Sequence, residues 1–231
     1  MDREPRQLRY ALFDLDNTLY PRSSGVMEAV SQRICAYMAT RLGMDEATIN
    51  ELRPRYWKQY GTTMRGLLVE YHIDPDEYLW YVHDLAMTDF LTANEELGQA
   101  LADVPWYKVV FTNASRQHAE KTLAAIDVSQ HFQRVFDIKD TGYIGKPDLR
   151  AYQHVLDALG AAAPECVIIE DSAVNLRPAK ALGMTTVLVG LEEAAERLAA
   201  GETTDSADFA IGRIVDVARV ARRLTMSKRA G

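Results

Sequence analysis

The strongest constraint in this sequence is a series of short, nearly unbroken apolar runs, most of them followed by a helical pattern. Tyr10–Leu15 (Tyr-Ala-Leu-Phe-Asp-Leu), Lys108–Phe111 (Lys-Val-Val-Phe), Arg134–Ile138, Cys166–Ile169 (Cys-Val-Ile-Ile) and Thr185–Val189 read as strands, and Phe209–Ile211 as a short edge strand. Strands that are apolar on both sides must be covered on both sides, whereas a strand with one wet face alternates. Helical segments lie between them. Ser115–Ile126 is one, and Asp148–Leu159 is another, with Pro147 in its first turn and Gly160 as its C-cap. Asn175–Leu182, stopped by Gly183, is a third. Such alternation predicts an α/β fold built on a parallel sheet with helices on both faces.

Residues 21–93 break the alternation. Val26, Val30, Ile34, Met38 and Leu42 form an i, i+4 stripe with Gly43 after it as a C-cap. Asp74-Pro75-Asp76-Glu77 is a helix start, with an N-cap acid, proline at the first position and an acid at the third. Thr92 with Glu95 has capping-box spacing, and Pro54 should break or kink any helix around it. No strand pattern occurs in this stretch. The expected organisation is a core of residues 1–20 and 94–231 interrupted by a helical domain of residues 21–93.

Composition narrows the setting. With 48% hydrophobic and 26% charged residues, the chain is ordinary globular protein. No apolar run approaches the ~18 residues of a membrane span. The charged start, Met1-Asp2-Arg3-Glu4-Pro5-Arg6, leads into no apolar signal region. Cys35 and Cys166 are isolated, which predicts free thiols and a cytoplasmic location. A net charge of −7 argues against nucleic-acid polymers and anionic membranes as partners. Arg219, Arg222, Arg223, Lys228 and Arg229 read as a solvated helix end and tail.

In open parallel sheets, ligands bind beyond the carboxyl ends of the strands. Those ends are polar here. Asp14-Leu15-Asp16-Asn17-Thr18 follows the first run and Thr112-Asn113 the second. Gly145-Lys146-Pro147 comes after the third, and Glu170-Asp171-Ser172 follows the fourth. These residue types suit phosphoryl transfer through a carboxylate nucleophile, which splits one hard step into two. Asp14 is the candidate nucleophile and Asp16 the candidate acid and base. Two close carboxylates resist joint ionisation, so one should keep its proton to higher pH. Asp14, Asp171 and the Asp16 backbone carbonyl, with Glu170 in an outer position, form an oxygen set suited to Mg²⁺. Thr112, Asn113 and Lys146 are candidates to hold phosphate, Lys146 as fixed charge and Thr112 as hydroxyl donor. Phosphate monoesters need up to ~10²¹-fold acceleration, roughly 28 kcal/mol. General acid–base help supplies only about 10²–10⁴ of that, so several such groups must act together.

In this order the four segments resemble the motifs of the haloacid dehalogenase-like (HAD) phosphohydrolases, from Arg9 to Gly190. The resemblance implies a Rossmann-like core with a C1-type helical cap inserted after the first strand. It also implies Asp14 as nucleophile, Asp16 as acid/base, and Mg²⁺ on Asp14 and Asp171. Phe13–Pro21 and Tyr60-Gly61-Thr62-Thr63-Met64-Arg65-Gly66 further resemble the pyrimidine 5′-nucleotidase-like branch. A small phosphorylated metabolite is then the expected partner. By resemblance a nucleoside 5′-monophosphate comes first, with sugar phosphates and phosphoglycolate-like acids as alternatives. Thr63 and Arg65 are candidates to reach it, and Ser115 and Arg116 are weaker ones. Some relatives carry Asp where this chain has Asn175; an Asn there can still bond Lys146 or the loop. The oligomeric state stays open.

Other readings fit less well. A phosphoacceptor receiver module has its acidic pair before a phosphorylated Asp on a later strand, and lacks a long insert. A dehalogenase needs neither a metal nor an acid for a leaving oxygen. Gly145-Lys146 is no phosphate loop, since Asp140 occupies the first glycine position. Among Tyr56, Trp57, Tyr60, Tyr71, Tyr78, Trp80 and Tyr81, packing in the helical core is expected for most, with one or two free to stack on a base. The histidines, His72, His83, His118, His131 and His154, have no ligand spacing and receive no role.

Overall fold

The computed structural model describes residues 7–190 and 206–226. The charged N-terminal residues 1–6 and the tail residues Lys228 and Arg229 lie outside them. Six strands form one parallel sheet: β1 (Tyr10–Phe13), β2 (Tyr107–Phe111), β3 (Arg134–Phe136), β4 (Cys166–Glu170), β5 (Thr185–Val189) and β6 (Phe209–Ile211). Their order is β3-β2-β1-β4-β5-β6, and the sheet is parallel as the apolar runs predicted. The chain winds outward from β1 through β2 to β3, then crosses back to place β4 on the other side of β1. Phe13 therefore lies beside Val110 of β2 and Ile169 of β4. The crevice at the carboxyl end of β1 is the switch point where open α/β sheets bind ligands.

Successive strand residues face opposite sides, so the sheet has two buried faces. Ala11, Phe13, Val110, Val167, Ile169 and Val187 pack on one side with α5 (Glu95–Ala102), α6 (Arg116–Ala125) and α9 (Val217–Met226). Leu12, Val109, Phe111, Ile168 and Leu188 pack on the other with α7 (Leu149–Leu159) and α8 (Ala173–Leu182). Arg219, Arg222 and Arg223 are the exposed side of α9.

Between β1 and α5 the chain contains no strand. It forms α1 (Val26–Leu42), α2 (Glu46–Tyr60), α3 (Thr63–Tyr71) and α4 (Pro75–Val82). These helices have an apolar cluster of their own, which includes Tyr37, Met38, Leu52, Tyr56, Leu67 and Leu79. The start of α1 packs into the sheet-side cluster through Val26 and Val30. Gly43 caps α1 at φ 66°, and Asp74 caps α4 by accepting the Asp76 and Glu77 N–H groups, both as expected.

Three local expectations need correction. Pro54 does not break α2, which runs from Glu46 to Tyr60 with Ile49, Leu52 and Tyr56 buried on either side of it; packing outweighs the one lost backbone hydrogen bond. Thr92 and Glu95 make no capping box, because Asn94 caps α5 through the Leu97 N–H. Pro147 lies just outside α7, whose N-cap is Asp148.

Candidate active site

A cleft of about 810 Å³ opens at the carboxyl end of β1, with the sheet as its floor and α2 and α3 as one wall. The floor is built on loop 14–18. Asn17 sits at φ 62°, a left-handed conformation that asparagine tolerates. That turn folds the loop back, so the Thr18 hydroxyl donates to Asp14 Oδ2 at 2.9 Å. Lys146 Nζ, itself buried, donates to Asp14 Oδ1 at 2.7 Å, to Glu170 Oε2 at 2.7 Å and to the Phe111 carbonyl at 2.8 Å. All three ammonium donors are thereby used.

This triad carries two carboxylates for one ammonium, all three nearly buried at the bottom of the cleft. Burial raises the Asp14 and Glu170 carboxyls, and for Glu170 the neighbouring Asp14 adds to it, to about 8. For Lys146, burial alone would lower the ammonium, but Asp14 and Glu170 override it and hold it above its ordinary value. One carboxyl of the close Asp14–Asp16 pair is expected to keep its proton to higher pH, and the raised one is Asp14. The structure shows the reverse for Asp16. Burial would raise it, but the His118 imidazole and the Tyr20 hydroxyl overcome that and hold it down at about 2. Both donate to its Oδ1, His118 through Nε2 at 2.7 Å.

Asn113 lines the cleft and clamps the Lys146 backbone with its amide. Its Oδ1 accepts the Lys146 N–H at 2.7 Å and its Nδ2 donates to the Lys146 carbonyl at 2.9 Å. Gly145 makes room for this clamp, since a Cβ there would lie 2.7 Å from Asn113 Oδ1. Thr112 is buried at the end of β2, where its Oγ1 accepts the Ala114 N–H at 3.0 Å and keeps its own proton to donate. Asn175 bonds Glu170 Oε1 at 3.2 Å and not Lys146.

Asp14, Glu170 and Asp171 each offer a carboxylate oxygen within 4.8 Å of the others. An all-oxygen set of this kind fits a hard divalent cation such as Mg²⁺. Glu170 already accepts from Lys146, the Ser172 N–H and Asn175, which suits an outer position. The Asp16 carbonyl accepts no hydrogen bond among the described residues. Asp171 Oδ2 pairs with the exposed Arg22 at 2.8 Å.

The wall explains the aromatic residues of the helical insert. Tyr56 and Tyr78 are buried packing, as expected, but Trp57 and Tyr60 line the cleft, and Trp57 stays 59% exposed. Trp80 and Tyr71 are exposed away from it. Arg65 lines the cleft and Thr63 does not. Thr63 is the first residue of α3, and it is the preceding Thr62 that caps the helix. Ser115 and Arg116 are also absent from the lining. Ser115 caps α6, while Arg116 pairs with Asp140 at 2.8 Å. The turn between α2 and α3 rests on the floor at Gly61, where a Cβ would come 3.3 Å from Pro147.

Several site residues escaped sequence reasoning. His118 touches Asp16 across 102 positions of chain, and no spacing rule reaches that far. His83, which stacks on His118, lies in the insert, and Lys58 and Arg22 look like ordinary surface cations in the sequence.

The profile described as haloacid dehalogenase-like hydrolase matches residues 8–183. The chain belongs to this family. The parallel sheet agrees with the Rossmann-like core that the resemblance implied. "Phosphate metabolism protein 8" of Saccharomyces cerevisiae is 25% identical over 199 residues, covering 78% of this chain but only 61% of that protein. Phosphoglycolate phosphatase of Pectobacterium atrosepticum is 27% identical over 190 residues, covering 78% and 79%. L-2-haloacid dehalogenase from Xanthobacter autotrophicus has a similar fold, with a TM-score of 0.59 and 18% identity over 94% of this chain and 99% of that one. Among the described residues, no helix is long and apolar enough to cross a membrane.

Proposed function

We propose that this hydrolase is a Mg²⁺-dependent phosphomonoesterase that cleaves a small phosphorylated metabolite through a phosphoryl group carried on Asp14. The observation that carries this reading is the buried Lys146 bridging Asp14 and Glu170 at 2.7 Å each, beside a third carboxylate, Asp171. An Asp attacking carbon needs no such cation site, whereas transfer of a dianionic phosphoryl group does. The phosphatase among its relatives supports the same reading.

Asp14, Asp171 and the Asp16 carbonyl would hold Mg²⁺, with Glu170 behind them; the cation would neutralise phosphate charge. Lys146 holds the Asp14 carboxylate in place and adds fixed positive charge below it. In the first half, an Asp14 oxygen attacks phosphorus, the ester P–O bond breaks, and Asp16 gives its proton to the leaving oxygen. In the second, Asp16 takes a proton from water as that water displaces phosphate from Asp14. As found, Asp16 is ionised and ready only for the second half. A bound phosphate dianion would raise its proton affinity and so prepare the first.

Residues 21–93 act in this reading as a cap on a core of residues 1–20 and 94–231. The cap excludes water during transfer and presents Trp57, Lys58 and Arg65 to the leaving group. A nucleoside 5′-monophosphate is the first choice of substrate, because Trp57 offers an open ring for a base. A sugar phosphate or a phosphoglycolate-like acid is the alternative.

The test is hydrolysis of 4-nitrophenyl phosphate by the purified protein, with and without EDTA, followed by a screen of soluble phosphate esters. Activity abolished by EDTA and restored by Mg²⁺ is expected. Halide release from a 2-haloacid with no phosphatase activity would overturn the reading. Nucleotides ranking no better than sugar phosphates would remove the nucleotidase assignment alone.

A further inference from the structure

Asp16 is held differently from the other carboxylates of the floor. Asp14 and Glu170 share an ammonium, whereas Asp16 Oδ1 takes two donors from ring side chains, Tyr20 and His118. A carboxylate only accepts, so His118 Nε2 carries the proton. Among the described residues, Asp16 Oδ2 has no hydrogen-bond partner, and Asp16 lines the cleft.

His118 is fully buried, and its Nδ1 has no partner among the described residues. An imidazole that leaves one nitrogen unsatisfied must be held by its surroundings. The His83 ring lies against it, 4.4 Å between centroids and tilted by 34°. His83 Nδ1 is 3.0 Å from Ser115 Oγ, and the same oxygen accepts the His118 backbone N–H at 3.3 Å. Ser115 thus ties the His83 ring to the backbone of His118. His118 belongs to α6 of the sheet core, but His83 is the C-cap of α4 in the helical insert.

We infer that His118, together with Tyr20, is a positioning residue that pins Asp16 Oδ1 and leaves Oδ2 as the oxygen for proton transfer, and that His83 makes this hold depend on where the helical insert is seated. The inference rests on the proposed acid–base role of Asp16. Two donors on one oxygen fix the plane of the carboxyl group, so its other oxygen is presented in one direction only. With one donor gone the group can rotate about its Cβ–Cγ bond, and the proton is delivered from a poorer position.

The test compares turnover of an alkyl phosphate with that of 4-nitrophenyl phosphate. An alkoxide leaves slowly without a proton, while 4-nitrophenolate leaves readily. His118→Met and His118→Gln both fill the space of the ring, but only glutamine can offer an N–H near the Nε2 position. His118→Met should lose about 10²-fold in kcat on the alkyl ester and about tenfold or less on the aryl ester, with KM within about threefold. His118→Gln should recover to within about tenfold of the parent on the alkyl ester. Tyr20→Phe should show the same ester bias to a lesser degree, and carries the test if the His118 variants do not fold. His83→Phe, which keeps a ring but not the Ser115 contact, should follow in the same direction. Parental kcat on both esters, or equal losses on both, would overturn the positioning role; absence of bias in His83→Phe alone would overturn the dependence on the insert. Asp16→Asn separates the two levels. If it stays active on the alkyl ester, the acid–base reading itself fails. If it is inactive while the His118 and Tyr20 variants match the parent, only the positioning role fails.

Discussion

On the floor of the cleft, Lys146 spends all three of its donors on Asp14, Glu170 and Phe111, and Asp16 Oδ1 is held by two more. On the wall opposite, Lys58 and Arg65 line the same cleft with no ion-pair partner among the described residues, and Trp57 leaves most of its ring in water. The floor is buried and its polar groups are held by hydrogen bonds, as groups aimed at developing charge must be. The wall keeps its charges and its aromatic face available. Chemistry common to many phosphate esters can be built into a floor of the first kind, and the choice among esters into a wall of the second.

The sharpest break between the two is expected at Asp14. Asp14→Asn should lower kcat on 4-nitrophenyl phosphate by at least about 10⁴-fold, as removal of a covalent nucleophile does elsewhere. Retained activity would end the nucleophile assignment. Lys146→Met comes next. It strands two buried carboxylates, so a loss of about 3–5 kcal/mol in denaturant unfolding should accompany loss of activity. Adding Glu170→Gln should return part of that stability but not the activity.

On the wall, packing is the sensitive quantity. A Cβ at Gly66 would meet the Tyr56 ring at 2.2 Å, and Tyr56 is wholly buried. Gly66→Ala should therefore cost about 1–3 kcal/mol by overpacking. The comparison predicts little change in aryl phosphate kcat at temperatures where the variant is folded.

Between floor and wall stands His83, pushed down to about 3, first by burial and then by His118. An unfolded histidine binds its proton near pH 6.5, and this native one does not until about pH 3. The unfolded state thus holds more protons in that window, and stability should fall as pH drops from 6.5 towards 3, by up to about 1.4 kcal/mol per unit. His83→Phe should show a flatter profile than the parent in urea titrations across that window. An unchanged slope would mean that His83 is not the group responsible.

The smallest effect on stability is expected at Trp57. Its ring is 59% exposed, so Trp57→Ala should shift unfolding by only about 0.5 kcal/mol or less. Its consequence should appear as KM changes that differ among phosphate esters. A uniform fall in kcat for all of them would erase the distinction between floor and wall.

The floor was legible where its residues follow an apolar run. Asp14, Thr112 and Glu170 stand one residue after, or at the end of, a strand that burial and periodicity identify. A parallel sheet then brings these ends together whatever the helices do. The wall was only half legible. The insert was recognisable as helical, yet which of its aromatics pack and which line the cleft depends on how α2 rotates against α3. Helical spacing separates Tyr56 from Trp57 by a face, but it does not say which face meets the core. Thr63 is outside the cleft lining for the same reason, being one residue from the cap Thr62 and two from the cleft-lining Arg65. Asn113 was legible as a strand-end polar residue, but the closure of its amide around the Lys146 backbone is a contact across 33 residues that no spacing shows.

From its sequence alone this chain determined a parallel α/β sheet, an all-helical insert after the first strand, and the carboxylates and lysine gathered at the strand ends. These follow from local periodicity and from the geometry that every parallel sheet shares. Only the tertiary structure decided that Asp16 is gripped by Tyr20 and His118, that the insert reaches this grip through His83, and that Lys58 and Arg65 line the cleft with no salt-bridge partner among the described residues. Those facts are contacts between segments far apart in the chain. Residues such as His118 and Asp16 have no spacing to betray them, because packing, not sequence distance, sets how they meet.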